Sequence, residues 1–89
     1  MDTELRSAAD VSGALIEVLA RQLHAIPSDV DWNTVALPDL GLDSMSAIEL
    51  VIDIEDRFGA QFPEERLVRE TFATFPALVA VVRGMVEQW

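Results

Sequence analysis

The chain has no cysteine, which excludes thiol catalysis, disulfide staples and cysteine-ligated zinc together. It has no lysine either: all six basic residues are arginine. With the richness in alanine and valine, that choice hints at a GC-rich coding sequence. There is one histidine, His24. It falls within the first helical pattern with no carboxylate evidently placed to orient it, so it reads as a helix-surface residue rather than as part of a hydrolytic triad. No apolar run approaches the ~20 residues of a membrane span. The opening MDTELRSAAD is polar and carries no apolar signal core, so residues 1–8 are expected to be a disordered N-terminus and the protein to be cytoplasmic. Internal repeats and low-complexity segments are missing as well.

What is present is a short chain rich in apolar residues. Its 89 residues, 51% of them hydrophobic, suffice for one domain, residues 9–89, that buries roughly 60% of its unfolded surface. Sixteen acidic residues set the formal net charge at −10. Such a field repels nucleic acid and anionic membranes and attracts partners with basic patches. It also serves plain solubility. No nucleic acid or membrane partner is expected, and a monomer is.

Helical spacing dominates. Val11, Ala14, Leu15, Val18, Leu19 and Ile26 recur as one apolar stripe from Asp10 to about Ala25, with Ser7 or Asp10 as cap and Pro27 as terminator. Pro27 to Asp43 is a long connection, which Val30, Trp32, Val35, Leu37 and Leu40 are placed to tether to the core. Within it DVDWN imitates the opening of an EF-hand loop, but Thr34 occupies the glycine position and Leu40 the glutamate position, so a dedicated calcium site is rejected. A second helix spans Ser44–Phe58 and stops at Gly59. Pro63 opens a short helical stretch through EERLV. Thr74 caps a last helix whose Phe75, Leu78, Val79, Val82, Met85, Val86 and Trp89 share a side. The fold class is all-α: a four-helix bundle of three main helices and one short one.

The second helix carries more apolar surface than a small bundle needs. At roughly 100° per residue, Ala47, Leu50, Val51, Ile54 and Phe58 form one stripe. Met45, Ile48 and Ile52 form another, flanked by Glu49, Glu55 and Asp56. An apolar centre with a carboxylate rim has the make-up of a protein-docking surface; widened core contact with the long loop is the alternative. At the helix start, Asp43 and Ser44 read locally as caps, and Ser46 with Glu49 spells a capping box. A nucleophilic role for Ser44 lacks the flanking glycines of a nucleophile elbow.

The run LGLDSMSAIELVIDIEDRFGAQFPEE resembles the heart of the acyl carrier protein family: Leu-Gly-x-Asp-Ser, an apolar-Glu-Leu-Val stretch, an acidic helix end, phenylalanine and an apolar-Pro-acidic turn. A looser likeness covers nearly the whole chain. The resemblance implies an acyl-carrier-like bundle in which Ser44 accepts a 4′-phosphopantetheine arm from a phosphopantetheinyl transferase. Catalysis would then belong to partner enzymes and not to this chain. It further implies that the second helix is the recognition helix. Asp43, Glu49, Glu55 and Asp56 would meet basic patches on acyl- or aminoacyl-loading and acyl-transferring enzymes, and Met45, Ile48 and Ile52 would be apolar contacts.

Met45 stands where the family usually has leucine, Ser46 where fatty-acid carriers often have an acid, and Arg57 interrupts the acidic helix end. Those departures favour a discrete carrier of polyketide or related natural-product biosynthesis. A fatty-acid carrier, a D-alanyl or other aminoacyl carrier, and an unmodified acidic helical adaptor remain as alternatives.

Overall fold

The structure, a computed structural model, describes residues 8–23 and 26–87. The expected cap at Ser7, the helix end near Ala25 and the placements of His24 and Trp89 lie outside these residues, as does the N-terminal stretch before Ala8.

Three α-helices carry the fold: α1 (Ala8–Gln22), α2 (Ser44–Phe58) and α3 (Phe75–Glu87). Among the described residues there is no strand, and one isolated bridge pairs Ala36 with Thr74. α1 packs on both α2 and α3. It begins at Ala8, ahead of the expected Asp10, and its regular turns end at Gln22. The Leu23 N–H still bonds to the Leu19 carbonyl at 2.9 Å, one residue past the last regular turn. Ile26, assigned to the stripe by its spacing, lies beyond the helix and packs only partly against the core. Asp10 in the first turn and Arg21 in the last both suit the helix dipole.

The core follows the helical stripes. Val11, Leu15, Val18 and Leu19 of α1 meet Leu50, Ile54 and Phe58 of α2 and Phe75, Leu78 and Val82 of α3, all buried. Each such side chain contributes about 1.5–3 kcal/mol relative to exposure. At the start of α3, the Thr74 hydroxyl accepts the Ala77 N–H at 3.3 Å, which is the expected cap. Pro76, in the first turn, loses no bond by lacking its N–H.

The long connection is tethered, as its apolar residues suggest. Leu37 and Leu40 are buried, and the Trp32 ring lies 5.1 Å from that of Phe75, tilted by 49°. The Leu37 N–H donates to the Ala73 carbonyl at 2.9 Å, beside the Ala36–Thr74 bridge. Asp31 Oδ1 accepts the Asn33 N–H at 3.0 Å, so the apparent calcium-loop opening is a local turn.

The short helix takes a different form from the one expected. Pro63 precedes the helical turn instead of opening it, a 3-10 turn covers only Glu64–Arg66, and Leu67 breaks it at φ −81°, ψ 64°. A second 3-10 turn follows at Arg69–Phe72 and packs on α3. The reason is burial: Leu67 and Val68 stay about half exposed, so no buried apolar face drives a longer helix. Phe62 and Phe72 instead bracket the segment, their rings stacked at 5.8 Å.

Candidate functional site

The site is built by the turn that delivers the chain to α2. Leu37–Leu40 forms a 3-10 turn that closes on Gly41 at φ 102°, a left-handed conformation open to glycine and strained for other residues. Leu40 and Leu42 are buried on either side of it. They pin the turn, so the next residues emerge at a fixed place.

Asp43 is the N-cap of α2. Its Oδ1 accepts the Ser46 N–H at 2.9 Å, and its own N–H donates to Ser46 Oγ at 2.9 Å. The Ser46 hydroxyl donates back to Oδ1, also at 2.9 Å. The capping box therefore joins Asp43 to Ser46, and the Ser46–Glu49 box is corrected. That pairing would start the helix at Ala47, whereas it starts at Ser44. The Asp43 carboxyl is held below its ordinary value of 3.8, first by the Ser46 backbone N–H and then by the Ser46 hydroxyl. Ser44 is consequently not the cap. It is the first helical residue, exposed, with its hydroxyl outside the cap network.

The faces of α2 separate as the periodicity predicts for Leu50, Ile54 and Phe58, while Ala47 and Val51 of the same stripe are only partly buried. Leu50, Ile54 and Phe58 are 0–2% exposed, whereas Met45, Ile48 and Ile52 are 75%, 64% and 59% exposed. Widened core contact is thereby excluded for the second stripe. The carboxylates are less uniform than expected. Glu49 and Asp56 stand exposed with no partner among the described residues. Glu55 is half-buried, and its Oε2 accepts the Phe62 N–H at 2.9 Å, which fixes the chain leaving α2. Asp53, unnoticed in the sequence, accepts from Gln22 Nε2 at 2.6 Å and ties α2 to α1. Arg57 approaches Glu17 at 3.8 Å, an exposed pair worth about 0–1 kcal/mol.

Beside Ser44 lies a groove of about 530 Å³. One wall is Ala47, Ile48 and Val51 of α2; the other is Leu67, Val68, Arg69 and Phe72, with Pro38 and Leu42 also lining it. The second wall was the least legible part of the site. Among the described residues no cluster of acids or histidine could hold a metal ion, and no helix is long and apolar enough to cross a membrane. An exposed serine hydroxyl at a helix N-terminus fits attachment of a phosphodiester, because first-turn N–H groups and the helix dipole favour negative charge there.

Comparison with known proteins shows the family. The chain matches the family described as "Phosphopantetheine attachment site" over residues 13–82. It is 38% identical over 55 residues to an acyl carrier protein homolog of Ureaplasma parvum, an alignment covering 62% of this chain and 70% of that protein. The solution structure of the 3,7-dioxo-octyl actinorhodin acyl carrier protein from Streptomyces coelicolor superimposes with a TM-score of 0.66 at 24% identity, covering 99% of this chain and 98% of that one. The family match takes in α2 whole and most of α1 and α3, and the chain therefore belongs to the phosphopantetheine-attachment family as an acyl carrier protein, a non-catalytic carrier of 4′-phosphopantetheine.

Proposed function

We propose that Ser44 bears the 4′-phosphopantetheine arm and that the protein carries acyl or aminoacyl intermediates in polyketide or related natural-product biosynthesis. When bound, the arm supplies a terminal thiol on which such groups are held as thioesters. The observation that carries the reading is the Ser44 hydroxyl: exposed, outside the Asp43–Ser46 cap and on the edge of the groove. Asp43 and Ser46 hold the first turn of α2 in place. Asp43 adds a negative charge beside Ser44, and the first-turn N–H groups offset the charge of a phosphodiester there. The test is intact mass after incubation with coenzyme A and a promiscuous phosphopantetheinyl transferase. The wild-type protein should gain one arm and Ser44→Ala none; an unmodified adaptor would gain none in either form.

The exposed face of α2 is proposed as the docking surface for the transferase and for loading and transfer enzymes. Met45, Ile48 and Ile52 would supply buried contact, and Glu49 and Asp56 the charges that steer a basic partner. Asp43 and Glu55 contribute charge from positions already engaged in the fold. Ser46 and Arg57, where fatty-acid carriers are more acidic, support the natural-product assignment. So does the likeness in fold to a carrier whose named cargo is a 3,7-dioxo-octyl chain. The protein is proposed to act as a cytoplasmic monomer.

A further inference from the structure

We infer that Arg69 is a specificity-determining residue for the cargo, its guanidinium selecting acyl chains that carry oxygen along their length over saturated ones. The inference rests on the reading that Ser44 bears the arm, and it names the class of chain. Of the residues lining the groove beside Ser44, Asp43 and Arg69 alone are charged. The Asp43 carboxylate is engaged by Ser46. Arg69 is exposed and makes no hydrogen bond or ion pair among the described residues.

The exposed guanidinium gives the groove one set of charged donors beside an otherwise apolar wall. Ala47, Ile48, Val51, Leu67, Val68 and Phe72 offer methylene contact, and Arg69 offers planar, permanently charged donors suited to a carbonyl or carboxylate. A saturated chain can satisfy the walls and leaves Arg69 to water. A chain with keto groups satisfies both. The phosphodiester competes less for Arg69, because the N-terminus of α2 already provides its donors.

The test loads the apo protein through the transferase with three arms: the bare arm, an amide-linked octanoyl arm and an amide-linked keto-octanoyl arm. NMR follows the Arg69 Nε–Hε signal and the methyls of Ile48, Val51, Leu67 and Val68. Both chains should shift the methyls, and the keto chain alone should shift Arg69 Nε–Hε and slow its exchange. With the thioester-linked chains, the keto form should be cleaved by hydroxylamine about three- to tenfold more slowly than the saturated form, the scale of one partly exposed charge-assisted hydrogen bond. Arg69→Gln should erase that difference, and Arg69→Lys should keep part of it. Equal Arg69 shifts with the bare arm would make it a phosphate contact. Equal behaviour of the two chains would remove any selectivity. Either result overturns this inference while leaving the carrier reading intact. Failure of Ser44 to load, seen by mass beforehand, overturns both.

Discussion

Replacing Ile54 and Ile48 by alanine, one at a time, separates the two faces of α2. Ile54 is fully buried in the core, whereas Ile48 is 64% exposed. Truncating a buried isoleucine removes transfer free energy and leaves a cavity, about 3 kcal/mol here within the usual range of ~2–5. In a domain of this size that lowers the melting temperature by roughly 12–24 °C. Ile48→Ala vacates solvent, not core, and stays within about 0.5 kcal/mol. Alanine's better helix propensity even offsets part of that, by up to roughly 0.4 kcal/mol. The assay pairs thermal unfolding followed by circular dichroism with the initial rate of arm transfer to each variant. Ile54→Ala should melt early yet be modified normally at low temperature. Ile48→Ala should melt like the parent and be modified at least about fivefold more slowly, the scale of ~1 kcal/mol at an interface. A melting temperature for Ile48→Ala as low as that of Ile54→Ala would refute the reasoning.

Three further outcomes follow from the bonds around α2 and the long connection. The Asp43 carboxyl titrates below its ordinary 3.8 because it accepts from Ser46. Its stabilising contribution is therefore complete above the unfolded value and lost as the pH falls through the lower folded one. Carboxyl-carbon NMR of Asp43, with amide exchange at Ser46, should show that acid step, and Asp43→Asn should lack it. Glu55→Ala should lower stability by about 1–3 kcal/mol, since the half-buried Phe62 N–H loses its acceptor. Glu49→Ala, compared by chemical denaturation, should not. Trp32→Ala should cost about 2 kcal/mol, less than the ~3–5 of a fully buried ring. A double-mutant cycle with Phe75→Leu should return about 0.5–1.5 kcal/mol of coupling between the rings.

The sequence disclosed whatever repeats with the helical period. The stripes of α1 and α3 and the double face of α2 rest on side chains three or four residues apart, and the stop at Gly59 on a glycine after the last apolar position, so all could be read without coordinates. The tether through Trp32, Leu37 and Leu40 was legible because large apolar residues in a polar loop have few places to go. The capping partner was not. Asp43–Ser46 and Ser46–Glu49 both have the required spacing, and only the backbone position of the first turn decides between them. Gln22–Asp53 and Glu55–Phe62 were invisible because their partners come together through packing, with no local pattern to announce them. The broken segment after Pro63 is too short to show any period, so the second wall of the groove, Arg69 included, could not be foreseen.

The fastening of Ala36 and Leu37 to Ala73 and Thr74 has a consequence for how the molecule assembles. It joins positions on opposite sides of α2 in the chain, so forming it closes a loop that contains α2, the turn at Gly59 and three 3-10 turns. The entropy of that closure opposes early formation, while the helices need only neighbours in sequence. The clasp is therefore expected to close late, after α1 and α2 have met. A mutation that loosens it, such as Leu37→Ala, should speed unfolding and leave the folding rate nearly unchanged, a pattern stopped-flow kinetics would reveal. A slowed folding rate would mean that the clasp belongs to the nucleus. The same contact holds Leu37, the first residue of the turn that leads through Gly41 to Ser44, so a late clasp would also make the placement of Ser44 a late event in folding.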